Sequence, residues 1–185
     1  MKTVTIFGSS LPGENTEVYQ QAKRLGRLLA EAGLAICNGG YGGLMEASAQ
    51  GAHEAHGHTV GVTCKIWPAP ANRWISEEIR TSSFMERLMT LIDRGDAYVV
   101  LPGGTGTLAE LALVWEMMNK SSLSRSIGGP RPLLVMVPYW QPVIGCLEQE
   151  SRIASGSKRT RPPAMHLVTM IHSVDEAVAR LTGEL

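Results

Sequence analysis

Short apolar, β-branched runs alternate along this chain with longer segments whose apolar positions recur at helical spacing. The runs predict strands at 3–7, 34–37, 59–63, 97–101, 133–137 and 166–170. Between the first two, Val18, Ala22, Leu25, Leu29 and Ala32 mark the inward stripe of a helix that stops near Gly33. Further helices are predicted at 43–56, 83–94, 107–119, 140–153 and 173–181, the last opening on the capping box Ser173-Val174-Asp175-Glu176. Strict alternation of strand and helix predicts an α/β fold with a doubly wound, mostly parallel sheet and helices on both faces. The length of 185 residues suits one domain spanning 1–185.

Two stretches break the rhythm. Residues 65–81 carry Trp67, Pro68, Pro70, Asn72, Arg73 and Trp74, and read as a long loop beyond a strand end. Residues 155–163 are polar, basic and proline-terminated, and read as a surface loop.

Composition narrows the partners. The apolar fraction of 44% and charged fraction of 18% are those of a folded globular chain. Seventeen basic against seventeen acidic side chains leave no global field for nucleic acid or an anionic membrane, so a small-molecule ligand is expected. Cys37, Cys64 and Cys146 form no paired-thiol spacing, and no apolar run is long enough to span a bilayer. A reducing, cytoplasmic setting is the expectation.

In an open parallel sheet, ligands bind beyond the carboxyl ends of the strands, and the glycines lie there. One predicted strand runs into Asn38-Gly39-Gly40-Tyr41-Gly42-Gly43 and another into Pro102-Gly103-Gly104-Thr105-Gly106-Thr107, each leading into a helix. Glycine permits close backbone approach, and a helix start offers unpaired N–H groups with partial positive charge; together they cradle an anion such as phosphate. The turns lack the glycine-lysine-serine/threonine ending of a P-loop. Gly104 to Ala109 formally matches a dinucleotide fingerprint, but no acidic residue follows at the spacing that would bind a ribose.

Glu110 stands three residues after Thr107, so it fits a capping box on the helix start. The same position makes it useful, because a helix amino terminus favours the ionised form and predicts a standing anion at neutral pH. Arg87, on the preceding helix, is the cation expected to sit between that carboxylate and a phosphate.

These residues resemble the LOG family of cytokinin-activating phosphoribohydrolases. Its hallmark Pro-Gly-Gly-x-Gly-Thr-x-x-Glu is present as Pro102 to Glu110. The resemblance extends to Phe7-Gly8-Ser9-Ser10, to Gly39-Gly40-Tyr41-Gly42-Gly43-Leu44-Met45 and to Arg87, covering roughly 2–120. It implies a Rossmann-like homodimer that hydrolyses the N-glycosidic bond of a nucleoside 5′-monophosphate, AMP or an N6-modified AMP, to free base and ribose 5-phosphate. By position, Arg87 and Glu110 match the catalytic pair. Gly8, Ser9, Gly40, Gly43, Met85, Gly103, Gly104, Thr105, Gly106 and Thr107 match substrate-binding positions. Neither metal nor organic cofactor is required. Met85, Leu88, Glu46 and the loop carrying Trp67, Arg73 and Trp74 depart from the family pattern and leave the base open. The alternative on the same scaffold is a non-catalytic carrier of a nucleotide or molybdenum cofactor, which would gain little from a carboxylate in its pocket.

Other features read more simply. His53, His56 and His58 do not have zinc-protease spacing and suit a helix end. Leu108, Leu111, Ala112 and Trp115, extended by Met117 and Met118, have the spacing of a core or dimer-facing stripe.

Overall fold

The structure, a computed structural model, describes residues 1–120, 131–149 and 164–185. Its strands are β1 (Thr3–Phe7), β2 (Ala35–Asn38), β3 (Thr59–Cys64), β4 (Glu77–Thr81), β5 (Ala97–Val100), β6 (Leu133–Met136) and β7 (Thr169–Ile171). They form one sheet in the order β4-β3-β2-β1-β5-β6-β7, with every pairing parallel. The helices among the described residues are α1 (Glu17–Glu31), α2 (Leu44–Glu54), α3 (Phe84–Arg94), α4 (Thr105–Asn119), α5 (Gln141–Glu148) and α6 (Val174–Glu184), with a 3-10 turn at Ala164–Leu167.

Side chains alternate across each strand, so the central strands feed two cores. Val4, Ile6, Val99 and Leu101 pack with α1, α2 and α6 on one face. Phe7, Tyr98, Val100 and Val135 pack with α3, α4 and α5 on the other. Strand order reverses between β1 and β5, and there the doubly wound sheet opens a crevice at its carboxyl edge. Gly8 and Ser9 follow β1, and Pro102 to Thr107 follow β5, at that edge. Ser9 N donates to Pro102 O at 3.0 Å and ties the two turns together.

The sequence pattern misplaces some elements. Residues 77–81, read as part of the loop 65–81, form edge strand β4, registered along β3 from Val60↔Glu77 to Cys64↔Thr81. Its alternating half-buried and exposed positions, Glu77-Glu78-Ile79-Arg80-Thr81, carry the polar side chains that protect a sheet edge, so local hydrophobicity does not announce it. The last strand occupies Thr169–Ile171 rather than 166–170, because pairing with β6 sets its register while Leu167 belongs to the 3-10 turn. Helix α4 begins at Thr105 rather than Thr107. Positions 150–153 of the predicted helix 140–153, and the basic loop 155–163, lie outside the described residues. Among the described residues, no helix is long and apolar enough to cross a membrane.

Candidate active site

The turn after β5 is held from behind. Trp140 Nε1 donates to Leu101 O at 3.0 Å, and Tyr139 Oη donates to Gly103 O at 2.7 Å. Thr107 is buried, and its side chain folds back against Gly103, where any Cβ would collide with it. Gly103 and Thr107 therefore build the turn. Gly104 and Gly106 differ: a Cβ added at either meets nothing within 4 Å, and neither has positive φ. The chain's own packing does not ask for glycine there, and at 106, within the helix, glycine costs about 0.5–1 kcal/mol relative to alanine. What these two absent side chains provide is open access to the backbone.

Helix α4 has Gly104 at its N-cap and no side-chain capping bond, and its first intrahelical bond runs from Leu108 N to Gly104 O at 2.9 Å. The amides of Thr105, Gly106 and Thr107 precede that ladder, at the positive end of the helix. Thr105 and Gly106 are exposed. Together these groups form an anion cradle at the crevice mouth. Since α4 starts at Thr105, the expected capping box of Thr107 and Glu110 does not exist: Glu110 sits in the second turn. It follows Gly106 by four residues, on the same helix face and about 6 Å further along the axis.

Glu110 faces Arg87, with Nη1 to Oε1 at 3.8 Å and only 12% of the carboxylate side chain exposed. Burial pushes its carboxyl up to about 7, against the pull of the Arg87 guanidinium. The standing anion expected from the helix terminus is thus corrected: the second turn gives weak help from the dipole, desolvation dominates, and Glu110 exchanges a proton near neutrality.

Arg87 is buried, and two of its donors are committed. Nε donates to Val62 O at 2.7 Å and Nη2 to Gly39 O at 3.1 Å, while the guanidinium carbon lies 5.6 Å from the Tyr41 ring and 5.4 Å from the Trp67 ring. It clamps the end of β3 to the glycine turn after β2 and presents its remaining edge to Glu110. Met85, two residues earlier, is 60% exposed on the outside of α3.

The first glycine turn serves mainly the chain itself. Gly40 and Gly43 have φ of +77° and +67°, and a Cβ at Gly43 would strike the Ser9–Ser10 backbone. Gly40 is buried, with its N–H donating to Asn38 Oδ1 at 2.8 Å. Gly8 packs against Leu44, whose N–H donates to Ser9 O at 2.8 Å, so the first amide of α2 is already used.

The sequence did not single out Asn38, Asn72 or Tyr139. Asn38 is fully buried, and its Nδ2 donates to Met45 O and Ser48 Oγ; an asparagine ahead of two glycines was the available signal. Asn72 donates from Nδ2 to Gly40 O and Tyr41 O and so pins the tryptophan loop onto the turn. Arg73 is exposed and lies over the Trp74 ring at 4.5 Å, while Glu46 lies in the first turn of α2. Of the expected core or dimer stripe, Leu111, Trp115 and Met118 are buried in the protein's own core and Leu108 is exposed. His58 faces Glu77 at 3.1 Å and His53 packs against Trp74. Among the described residues, no three metal-ligating side chains are grouped to hold an ion.

A further cleft of about 630 Å³ lies beside the crevice, lined by Thr16, Glu17, Pro102, Pro138, Tyr139 and His172 among others. Neither Arg87 nor Glu110 lines it.

A Rossmann-like sheet with an uncapped helix start at its switch point and a buried arginine–glutamate pair places the chain in the α/β class. The chain belongs to the LOG family: the sequence profile of the SLOG cluster4 family matches residues 1–125, and LOG-type relatives align across most of the chain. It is similar to the cytokinin riboside 5′-monophosphate phosphoribohydrolase of Rhodococcoides fascians, 31% identical over 151 residues that cover 80% of this chain and 74% of that one. The enzyme of the same name from Mycobacterium tuberculosis is 35% identical over 116 residues, covering 61% of this chain and 62% of its own length. Among solved structures, the molybdenum cofactor binding protein of Rippkaea orientalis superposes with a TM-score of 0.70 at 22% identity, covering 98% of this chain and 96% of that one. That likeness is one of fold.

Proposed function

We propose that the protein hydrolyses the N-glycosidic bond of a nucleoside 5′-monophosphate, AMP or an N6-modified AMP, releasing free base and ribose 5-phosphate. The observation that carries this reading is the pair of glycines at 104 and 106, which packing does not require and which open the start of α4 toward a ligand, with Glu110 on the same face as Gly106. The 5′-phosphate sits on the amides of Thr105, Gly106 and Thr107. The ribose lies over Gly106, and its anomeric carbon comes beside Glu110.

Breaking the C–N bond leaves positive charge on the sugar, which a carboxylate in a site of low polarity opposes. Water adds its oxygen to the anomeric carbon, and the electron pair of the broken bond leaves with the base. One water proton passes to Glu110 and on to the base nitrogen, while the other stays on the new anomeric hydroxyl. A carboxyl titrating near 7 suits that exchange. Arg87 holds Glu110 in place and lowers the cost of its charged form. The enzyme acts as a homodimer in this proposal, as the family resemblance implies.

The test is incubation with AMP and N6-substituted analogues, followed by separation of products. Release of base with stoichiometric ribose 5-phosphate supports the proposal. Tight binding of a phosphorylated ligand without release identifies a carrier instead.

Gly106→Ala separates the site from the fold. An alanine at this helical position meets no neighbour and is expected to raise stability by about 0.5–1 kcal/mol. It also places a methyl group between cradle and ribose, so KM for AMP is expected to rise on the order of tenfold, equivalent to about 1.4 kcal/mol. Thermal melts and steady-state kinetics on one preparation check both. A variant that gains stability and keeps its KM would remove Gly106 from the site.

A further inference from the structure

Resting on the proposed hydrolysis, we infer that Trp67 is the stacking surface for the nucleobase and makes the enzyme tolerant among planar bases. Tyr41, Trp67 and Phe84 form a row of rings from three separate elements. Tyr41 and Trp67 meet edge to face at 5.9 Å and 85°, and Trp67 and Phe84 at 5.9 Å and 84°. The row is fixed in place. Cys64 N donates to Tyr41 Oη at 2.9 Å, Trp67 N donates to Cys64 O at 3.1 Å, and Asn72 holds the returning loop to Gly40 and Tyr41. Even so, Trp67 and Phe84 remain 38% and 37% exposed. Large rings ordered this well and left open to solvent present a preformed aromatic face.

The position of that face relative to the chemistry selects its occupant. Arg87 touches both groups, 3.8 Å from the Glu110 carboxylate through Nη1 and 5.4 Å from the Trp67 ring through its guanidinium carbon. The indole and the group assigned to the anomeric carbon therefore share one neighbour. A base attached to that carbon stacks on the part of the indole that Arg87 leaves open. The cleft beside Tyr139 and His172 has neither Arg87 nor Glu110 in its lining, so a base placed there would draw the glycosidic bond away from the carboxylate. The indole presents a π-face, which accepts flat heterocycles without reading their hydrogen-bonding edges. This predicts tolerance of substituents at the base edge, provided the ring system stays planar.

The experiment is titration calorimetry with AMP and, separately, ribose 5-phosphate, which shares everything with AMP except the base. Proteins carry Glu110→Gln so that AMP survives the titration, and are compared with Trp67 intact, Trp67→Ala and Trp67→Phe. Trp67→Ala is expected to weaken AMP on the order of 10- to 100-fold and to leave ribose 5-phosphate unchanged, with most of the AMP affinity regained in Trp67→Phe. Equal weakening of both ligands would show that the ring only supports the loop and would overturn the inference, as would unchanged AMP affinity. A change of oligomeric state in sedimentation with AMP affinity retained would make this face a subunit seam and likewise overturn it. Should the protein with Trp67 intact bind neither ligand, the proposed hydrolysis falls and the stacking role with it. Hydrolysis of AMP that proceeds with unaltered KM in Trp67→Ala would sink the stacking role alone.

Discussion

Glu110→Gln is expected to lower kcat for AMP by about 10²–10⁴-fold, the usual range for loss of a positioned acid–base group, while the affinity for AMP is kept. The amide has nearly the shape of the carboxyl it replaces, but it can neither oppose charge on the ribose nor exchange a proton. The wild-type rate should also depend on pH in a defined direction. Burial pushes the Glu110 carboxyl up to about 7, so its charged form accumulates as pH rises through that value. In consequence kcat should rise through about pH 7 to a plateau, and Glu110→Gln should lose that dependence.

Stability moves the opposite way. Between the ordinary carboxylate range and about pH 7, the folded protein holds a proton on Glu110 that the unfolded chain has released. The stability this contributes is fully present below the ordinary range and is lost as pH rises through 7. From pH 4 to pH 8, the wild type should therefore lose up to about 3 kcal/mol relative to Glu110→Gln, from a shift of 4.5 to about 7. Denaturant melts across that window check it, and parallel stability curves for the two proteins would contradict the buried placement of the carboxyl.

Arg87→Ala is expected to cost about 3–5 kcal/mol of stability, because it removes a buried guanidinium that donates two hydrogen bonds and packs against two rings, while Glu110 takes up a proton. The carbonyls of Val62 and Gly39 lose their donors at the same time. Arg87→Lys is the informative companion. A single ammonium cannot reach both carbonyls, sit against Tyr41 and Trp67 and also face Glu110, so lysine should recover only part of the loss. Where either variant folds, the rise of kcat with pH should move upward, because the guanidinium is what holds the Glu110 carboxyl down against its burial. Arg87→Lys with wild-type stability and an unmoved profile would contradict the role given to Arg87 here.

The core strands and both glycine turns were legible in the sequence because each depends on local pattern: Val4 and Ile6 alternate with buried neighbours, and Gly104 and Gly106 interrupt a strand-to-helix transition. Strand β4 was not, since Glu77, Glu78 and Arg80 suit an exposed edge and only pairing with β3 makes the segment a strand. The capping box at Thr107 and Glu110 failed for a related reason. The motif matches at many positions along a chain, but here Thr107 packs over Gly103 and the helix starts at Thr105. Arg87 and Glu110 could be nominated from their positions, but not their division of labour. The carbonyls that engage Arg87 come from residues 25 and 48 positions away in the chain, and the burial that moves the Glu110 carboxyl exists only once α3 and α4 pack together.

The account depends on a phosphoryl group resting on the open start of α4 with the sugar beside Glu110. The most direct measurement is a crystal structure of Glu110→Gln soaked with AMP. Phosphate oxygens within hydrogen-bonding distance of the amides of Thr105, Gly106 and Thr107, with the anomeric carbon next to residue 110, is the predicted result. A phosphate bound instead in the cleft beside Tyr139 and His172, with the ribose out of reach of residue 110, would contradict it.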